Sequence, residues 1–298
     1  MPLLTRRRVL AVKEETTPGS AETLTATQAQ FNAFETEINP NIEFIERLGQ
    51  SSLSPLRGDT AGRAGQVSFK MELSSDANLA VLLTACAMQL SGGAYIPNSG
   101  STTTVTIGVY EDGVFKRLRG CMGTYVITLE TGKPGMVEFT FTGIWDAPSD
   151  VAMLAPTYPS VSAPRFADGT VLIGAWTPKM SRVTIDCGNE VVLREDASDA
   201  SGYYAAHVTG RRIAGTLDPE ATLVADSDMY AALIGNTEQA MSISIGTSGG
   251  VTIDISVPKF QVTGLSEGDR NGLQIDEIAF QANRSSSAGD DELSITFG

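Results

Sequence analysis

The chain has 298 residues, with 21 Lys and Arg against 35 Asp and Glu, a formal net charge of −14, one His and three Cys. That balance excludes a protein that wraps a nucleic-acid backbone, which needs cationic counter-charge. Cys86, Cys121 and Cys187 lie too far apart in sequence for a disulfide framework or a zinc site, and 42% hydrophobic residues are too many for a disordered chain. No apolar run approaches the length of a membrane span, and the basic start Arg6-Arg7-Arg8 is not followed by an apolar segment of about 7–15 residues, the length a signal peptide needs. Neither a transmembrane helix nor a secretory signal is therefore expected, and synthesis in a reducing cytoplasm is the default. The acidity is uneven: residues 1–148 hold 12 basic and 15 acidic residues, net −3, and residues 149–298 hold 9 and 20, net −11.

In chain order, a short helix is possible near Thr25–Phe34, and a long polar loop is expected over Leu48–Ala64. Val67, Phe69, Met71 and Leu73 then alternate with polar residues, as in a strand with one buried face. Ser75-Asp76-Ala77-Asn78 can cap a helix over Leu79–Met88. Alternation resumes at Val105–Val109, Tyr125–Leu129 and Val137–Phe141. Ser149–Ser162, with Pro148, Pro156 and Pro159 in or beside it, reads as a linker. A second long loop is expected over Asp196–Gly210, a second capped helix over Met229–Ile234, and further strands at Met241–Ile245 and Val251–Ile255. Several strands with glycine-bearing turns predict a mostly β protein of antiparallel sandwich or barrel type.

The two halves repeat this order. The hairpin Val105–Val114 matches Met241–Val251 at an offset of 136, becoming 137 after the turn, where Gly135-Met136 would also fall on Gly272-Leu273. Val67, Phe69 and Met71 match Ile213, Gly215 and Leu217 at 146, Asn41 matches Asn189 at 148, and the helix runs match at 150. Small drifts between fixed strands are what loop insertions produce, and the period is that of a duplicated domain. The expected division is a first domain over 1–148 with an N-terminal arm, a linker over 149–163, and a second domain over 164–298 with a C-terminal tail.

No catalytic constellation emerges. His207 has no nucleophile and carboxylate converging on it in sequence. The carboxylates are scattered, and Asp290-Asp291-Glu292 lacks the alternation of a calcium loop. Gly92-Gly93 and Gly249-Gly250 read as turns. No catalytic residue, metal or cofactor is expected.

An ordered series of segments is similar to major tail tube proteins of long, non-contractile-tailed bacteriophages. It starts with Val9–Val12 followed by Glu15-Thr16-Thr17-Pro18-Gly19, then Gly65–Leu73, Tyr110–Val114, Leu118–Thr124 and Lys133–Gly143. Thr184–Asp196 and Gly210–Glu220 continue it in the second half. The resemblance implies two tandem tube domains of antiparallel β-sandwich or barrel type, each with a short flanking helix. It implies a structural virion protein, not an enzyme, whose copies join into rings that stack as a hollow tail tube for DNA ejection. Two tube domains per chain then predict a trimeric ring with pseudo-sixfold symmetry, with a homohexamer as the alternative. Implied partners are the chain itself, the tape-measure protein, and the tail terminator and distal tail proteins. DNA would pass without specific binding, along an acidic lumen. Assembly in the host cytoplasm, the virion tail as destination and no membrane complete the picture. The two long loops and the terminal arms are candidates for contacts between rings and subunits, through Arg57, Asp59, Arg63, Asp199, Tyr203, Tyr204, Arg211 and Arg212. The competing readings are a β-sandwich adhesin or carbohydrate-binding module, a hydrolase on a β-scaffold, and a related tube from a contractile tail or secretion system. The aromatic content of 7%, with Tyr203-Tyr204 the one adjacent pair, disfavours the binding module.

Overall fold

The computed structural model describes residues 3–50, 52–159, 163–167, 169–246 and 251–298. The first half contains β1 (Arg8–Glu14), β2 (Phe34–Leu48), β3 (Pro55–Glu72), α1 (Ala77–Ala85), β4 (Met88–Ser91), β5 (Ala94–Pro97), β6 (Val105–Glu111), β7 (Val114–Glu130) and β8 (Met136–Asp150). The second contains β9 (Thr170–Ile173), β10 (Met180–Asp186), β11 (Asn189–Glu195), β12 (Tyr203–Arg211), β13 (Ala214–Pro219), α2 (Met229–Ile234), β14 (Glu238–Ile245), β15 (Ile253–Arg270), β16 (Leu273–Ala282) and β17 (Ser294–Phe297).

The predicted alternation is what builds the sheets. Val67, Phe69 and Met71 of β3 stand opposite Phe141, Phe139 and Val137 of β8, and Tyr125 and Ile127 of β7 continue the same face. These side chains are essentially inaccessible to solvent, with the Phe69, Phe139 and Phe141 rings 5.7 to 6.2 Å apart. Across the chain, β2-β3-β8-β7-β10-β13-β16-β15 form one continuous row of antiparallel strands. β7 leaves that row at its N-terminal end to pair with β6, and β6 pairs with β1. β15 likewise pairs with β14 and β14 with β9. Irregularities at Arg119–Met122 of β7 and Val262–Gly264 of β15 sit where each long strand changes partners, the usual place for a bulge. The result is a mostly β, sandwich-type architecture whose row of strands is open rather than closed into a barrel. One apolar cluster spans both halves, joining Phe69 and Phe139 to Ile185, Phe260 and Phe280.

Both capped helices form: the Asp76 and Asp228 carboxylates accept from the amides of Asn78 and Ala231. The first helix stops at Ala85, and Met88 opens β4 instead. The third expected helix is only a 3-10 turn over Ala26–Ala29. The two expected loops are corrected more deeply. Residues 55–64 belong to β3 and residues 203–210 to β12, so of the described residues only 49–50, 52–54 and 196–202 lie outside strands. The arms project beyond the main core and lack the long core-facing alternation of the other strands, so backbone pairing across each hairpin is what gives them their strand character. The terminal segments are also strands: β1 fills a place beside β6, and β17 lies between β15 and β5. β8 runs to Asp150, two residues into the expected linker. Ser160–Ser162 of that linker and the Gly249-Gly250 turn lie outside the described residues.

Strand pairing recurs in the same order, β1-β6-β7-β8-β3-β2 in the first half and β9-β14-β15-β16-β13-β10 in the second. Following partners from strand to strand places Tyr125 on Val262, and Phe69 on Gly215. Those are the sequence offsets of 137 and 146. For β8 the partners give Phe139 on Phe280, an offset of 141 in place of the expected 137. From Tyr125 to Phe139 the chain advances 14 residues and from Val262 to Phe280 it advances 18, because β15 and β16 stay paired further out, to Arg270 and Leu273, and β15 holds an extra residue at its bulge; that longer hairpin displaced the sequence match.

Candidate functional site

The similarity motif at Glu15 has a physical basis. Glu15 follows β1 and is buried, and its carboxylate accepts four hydrogen bonds. These come from the amides of Gly19 and Gly120 (both 2.7 Å) and the hydroxyls of Thr104 (2.6 Å) and Thr106 (2.8 Å). The carboxylate thus fastens the N-terminal segment to the bend of β7, where Gly120 has φ +59° and is packed against Gly19 and Ala205. Sequence reasoning identified the motif but gave Glu15 no task; apart from Gly19, its partners are 89 to 105 residues away.

Several devices join the halves. The first is a ladder between β7 and β10, from Val126 opposite Asp186 to Glu130 opposite Arg182. The second is Arg119 on β7. It donates to the carbonyl of Gly19 (2.6 Å), to Asp146 (3.3 Å) and to both oxygens of Asp199 (3.2 Å). Hydrogen bonds from the Ser201 hydroxyl and amide, with Arg119 beside them, hold the Asp199 carboxyl down at about 2. The third is Arg211, whose side chain is only 10% exposed and lies between Asp290 and Glu292 at 2.7 Å each. Asp290 also accepts from the Ser99 amide and hydroxyl, tying the second half to the loop before β6.

Two arms leave the row of strands at corresponding places. The second, β11–β12, folds back at Gly188, where φ is +62° and a Cβ would meet the Arg212 carbonyl at 2.1 Å, so only glycine fits. It seats Ala206 with Val191, Leu193 and Val208 against Ala87 and Met122 of the first half. Asn189 secures its base, donating to the carbonyls of Cys86 (2.8 Å) and Gly123 (2.9 Å). The first arm, β2–β3, runs straight out. Phe44 is 67% exposed, Leu48 73% and Leu53 fully exposed, beside exposed Ile45 and Leu56.

The expected contact residues separate accordingly. Arg57 and Asp59 lie on the projecting arm with no ion pair among the described residues. Arg63, at its base, donates from Nη2 to the Ala200 carbonyl (3.0 Å) and from its amide to the Ser201 carbonyl (2.9 Å). Asp199 and Arg211 are engaged within the chain, as above. The Tyr203 ring lies over Gly62, where a Cβ would meet it at 2.4 Å, and Tyr204 carries the Arg194 guanidinium 4.8 Å from its ring centre. Arg212 donates to Gln281 (3.0 Å). His207 stands opposite Val192 in the folded-back arm. All three cysteines are buried and unpaired; burial pushes the Cys86 and Cys121 thiols well up and Cys187 to about 12.

The family model described as phage tail tube protein matches residues 5–297. The chain belongs to the phage tail tube protein family. No curated protein matches it in sequence. As a tail tube protein it is a structural component of the virion tail that associates with itself into a tube. For such a protein the informative surfaces are unpaired sheet edges and unseated apolar side chains. The row of strands has both: the outer edge of β2 at one end, the outer edge of β15 beyond β14 at the other, and the apolar tip of the first arm.

The face of the row opposite the core is polar and rich in threonine. Thr124 stands opposite Thr140, Thr128 opposite Thr184, and Thr184 opposite Thr216, the last pair hydrogen-bonded at 2.6 Å. Carboxylates on the same face include Glu37, Glu138 and Asp186, which stands across from Val126.

Proposed function

We propose that the chain assembles into trimeric rings with pseudo-sixfold symmetry, and that the rings stack into the tube through which DNA leaves the virion. Each chain contributes two tube domains, and the recurring order of strand pairing is the observation that carries this reading. A duplicated unit already joined edge to edge within one chain is repeated by adding further chains in the same direction, and a closed cyclic assembly leaves no strand edge exposed. Three chains would supply 24 strands. At a spacing of about 4.8 Å their perimeter is about 115 Å, enough for a lumen that admits a double helix.

The threonine-rich face lines that lumen in this reading. Hydroxyls and carboxylates dominate that face, and its cations Lys70 and Arg182 are already paired with Glu35, Glu138 and Glu130, so DNA slides with little of the counter-ion release that drives binding. The projecting arm, with Arg57 and Asp59, makes the contacts between stacked rings. Tape-measure, terminator and distal tail proteins are the other partners, and assembly takes place in the host cytoplasm.

Negative-stain electron microscopy of the purified protein, with masses of isolated rings, tests the assembly. Rings or tubes with a central channel and three chains per ring are expected. Six chains per ring would overturn the trimer, and a monodisperse monomer at high concentration would overturn the tube. Replacing Glu37, Glu138 and Asp186 by Lys is expected to leave tubes intact and slow DNA ejection; unchanged infectivity would remove the electrostatic account.

A further inference from the structure

The pairing that joins the halves inside the chain has an unfilled counterpart at its ends. β10 occupies in the second half the place of β2 in the first, and β15 the place of β7. β7 pairs with β10, but among the described residues no strand covers the corresponding edges of β15 and β2. The internal ladder fixes which residues should meet. Its backbone bonds include the Cys187 amide to the Tyr125 carbonyl at 2.9 Å and the Thr131 amide to the Ser181 carbonyl at 2.8 Å. Pairs such as Ile127 with Ile185 therefore exchange bonds, and pairs such as Val126 with Asp186 lie between them.

Tracing partners through the ladders carries Tyr125, Val126 and Ile127 to Val262, Gly264 and Leu265, with Thr263 taken up by the β15 bulge. The same tracing carries Cys187, Asp186 and Ile185 to Ile38, Glu37 and Thr36. We propose that β15 of one chain pairs antiparallel with β2 of a second copy, with Val262, Gly264 and Leu265 opposite the partner subunit's Ile38, Glu37 and Thr36. This rests on the ring reading and adds to it the strand pair and register of the joint between chains.

The free edges are prepared for this register. Thr36, Ile38 and Val262 are already buried on the core side, and Leu265 packs against the core. The Thr36 carbonyl is taken by no strand; it accepts from the Arg8 guanidinium at 2.5 Å, a flexible side chain that an incoming strand displaces. Pro40 stands where the next outward amide would be and so ends the ladder, keeping it as short as the internal one. Glu35, at φ +50°, breaks the register on the other side, where β2 shifts against β3.

The test is a cysteine pair, Glu37→Cys with Gly264→Cys, in the full chain. The site lies between hydrogen-bonded pairs, where opposed strands come within disulfide range. The three native thiols are buried, so the introduced pair reacts alone. Oxidation of assembled protein is expected to move most of the chain from the monomer band to covalent multimers. Either single variant, and Glu37→Cys with Glu267→Cys, should leave it as monomer. Wild-type protein gives the second readout: amide exchange in segments 34–38 and 262–268 should slow at least tenfold on assembly. Assembly without in-register cross-links and without that protection would overturn the joint while leaving the tube intact. Protein that forms no rings at all overturns the tube reading and the joint together.

Discussion

The two arms occupy one topological position and have opposite fates. β11–β12 folds onto the other half of its own chain; β2–β3 extends into solvent with Phe44, Leu48 and Leu53 exposed. Two differences account for this. The second arm has a hinge at Gly188, whereas β2 passes straight through the matching position, Asn39. The seat differs as well. Ala87 and Met122 receive the second arm, and their counterparts in the second half are Asn236 and Lys259. Ala87 and Asn236 are matched by the left-handed turn each makes after its helix, at φ +56° and +51°. A polar seat offers the first arm no apolar burial. A single kind of hairpin thus serves either as an internal clamp or as a free contact, depending on a glycine and the polarity of its seat.

The comparison can be broken most severely by putting the second half's residue into the first half's seat. Met122→Lys buries an unpaired ammonium under Ala206 and is expected to cost at least about 3 kcal/mol. Urea unfolding should show that loss, and protease should cut the released turn at 196–202. Arg119→Ala removes the clamp on Gly19, Asp146 and Asp199, and should lower stability by about 2–3 kcal/mol in the same assay. Acid offers a milder route. Asp199 sits below its ordinary value of 3.8, at about 2, when folded. Its contribution is complete above about pH 4 and is lost as the pH falls through 2. Protease sensitivity of the second arm should therefore rise between those limits, and Asp199→Asn should flatten that dependence. Leu53→Ser on the first arm is expected to change stability by less than about 0.5 kcal/mol while abolishing stacked tubes in micrographs. Tubes of normal length from that variant would mean that the exposed tip takes no part in stacking.

Residues with a buried face could be read directly from the sequence. Phe69, Phe139 and Tyr125 alternate with polar neighbours because one side of each strand meets the core, and the helix caps at Asp76 and Asp228 are local chemistry. The arms were harder to read: residues 40–64 carry no face that meets the core, and in residues 189–211 the alternation is confined to Val191 with Leu193 and Ala206 with Val208, whose seat lies in the other half of the chain. The short β9 and β17 were invisible because four residues carry too little pattern. At the site, Tyr203 was picked out for its aromatic pair and Asp199 for its charge, yet both serve contacts within the chain. Glu15 and Arg119 were missed in role because their partners come from remote segments. The nearest available signals were the Glu15–Gly19 motif for one, and for the other an arginine inside a largely apolar strand.

The pairing of β17 with β5 joins Ile295 to Tyr95, 200 residues apart. It makes completion of the first half depend on the last strand of the sequence. During synthesis, β4 and β5 can form their hairpin early, but one edge of β5 stays uncovered until residues 294–297 have left the ribosome. Contacts of such separation form slowly, because the intervening chain must first be ordered. A chain lacking that strand would therefore retain an unpaired edge of β5 inside its own sheet, so the last few residues decide whether the first half is finished.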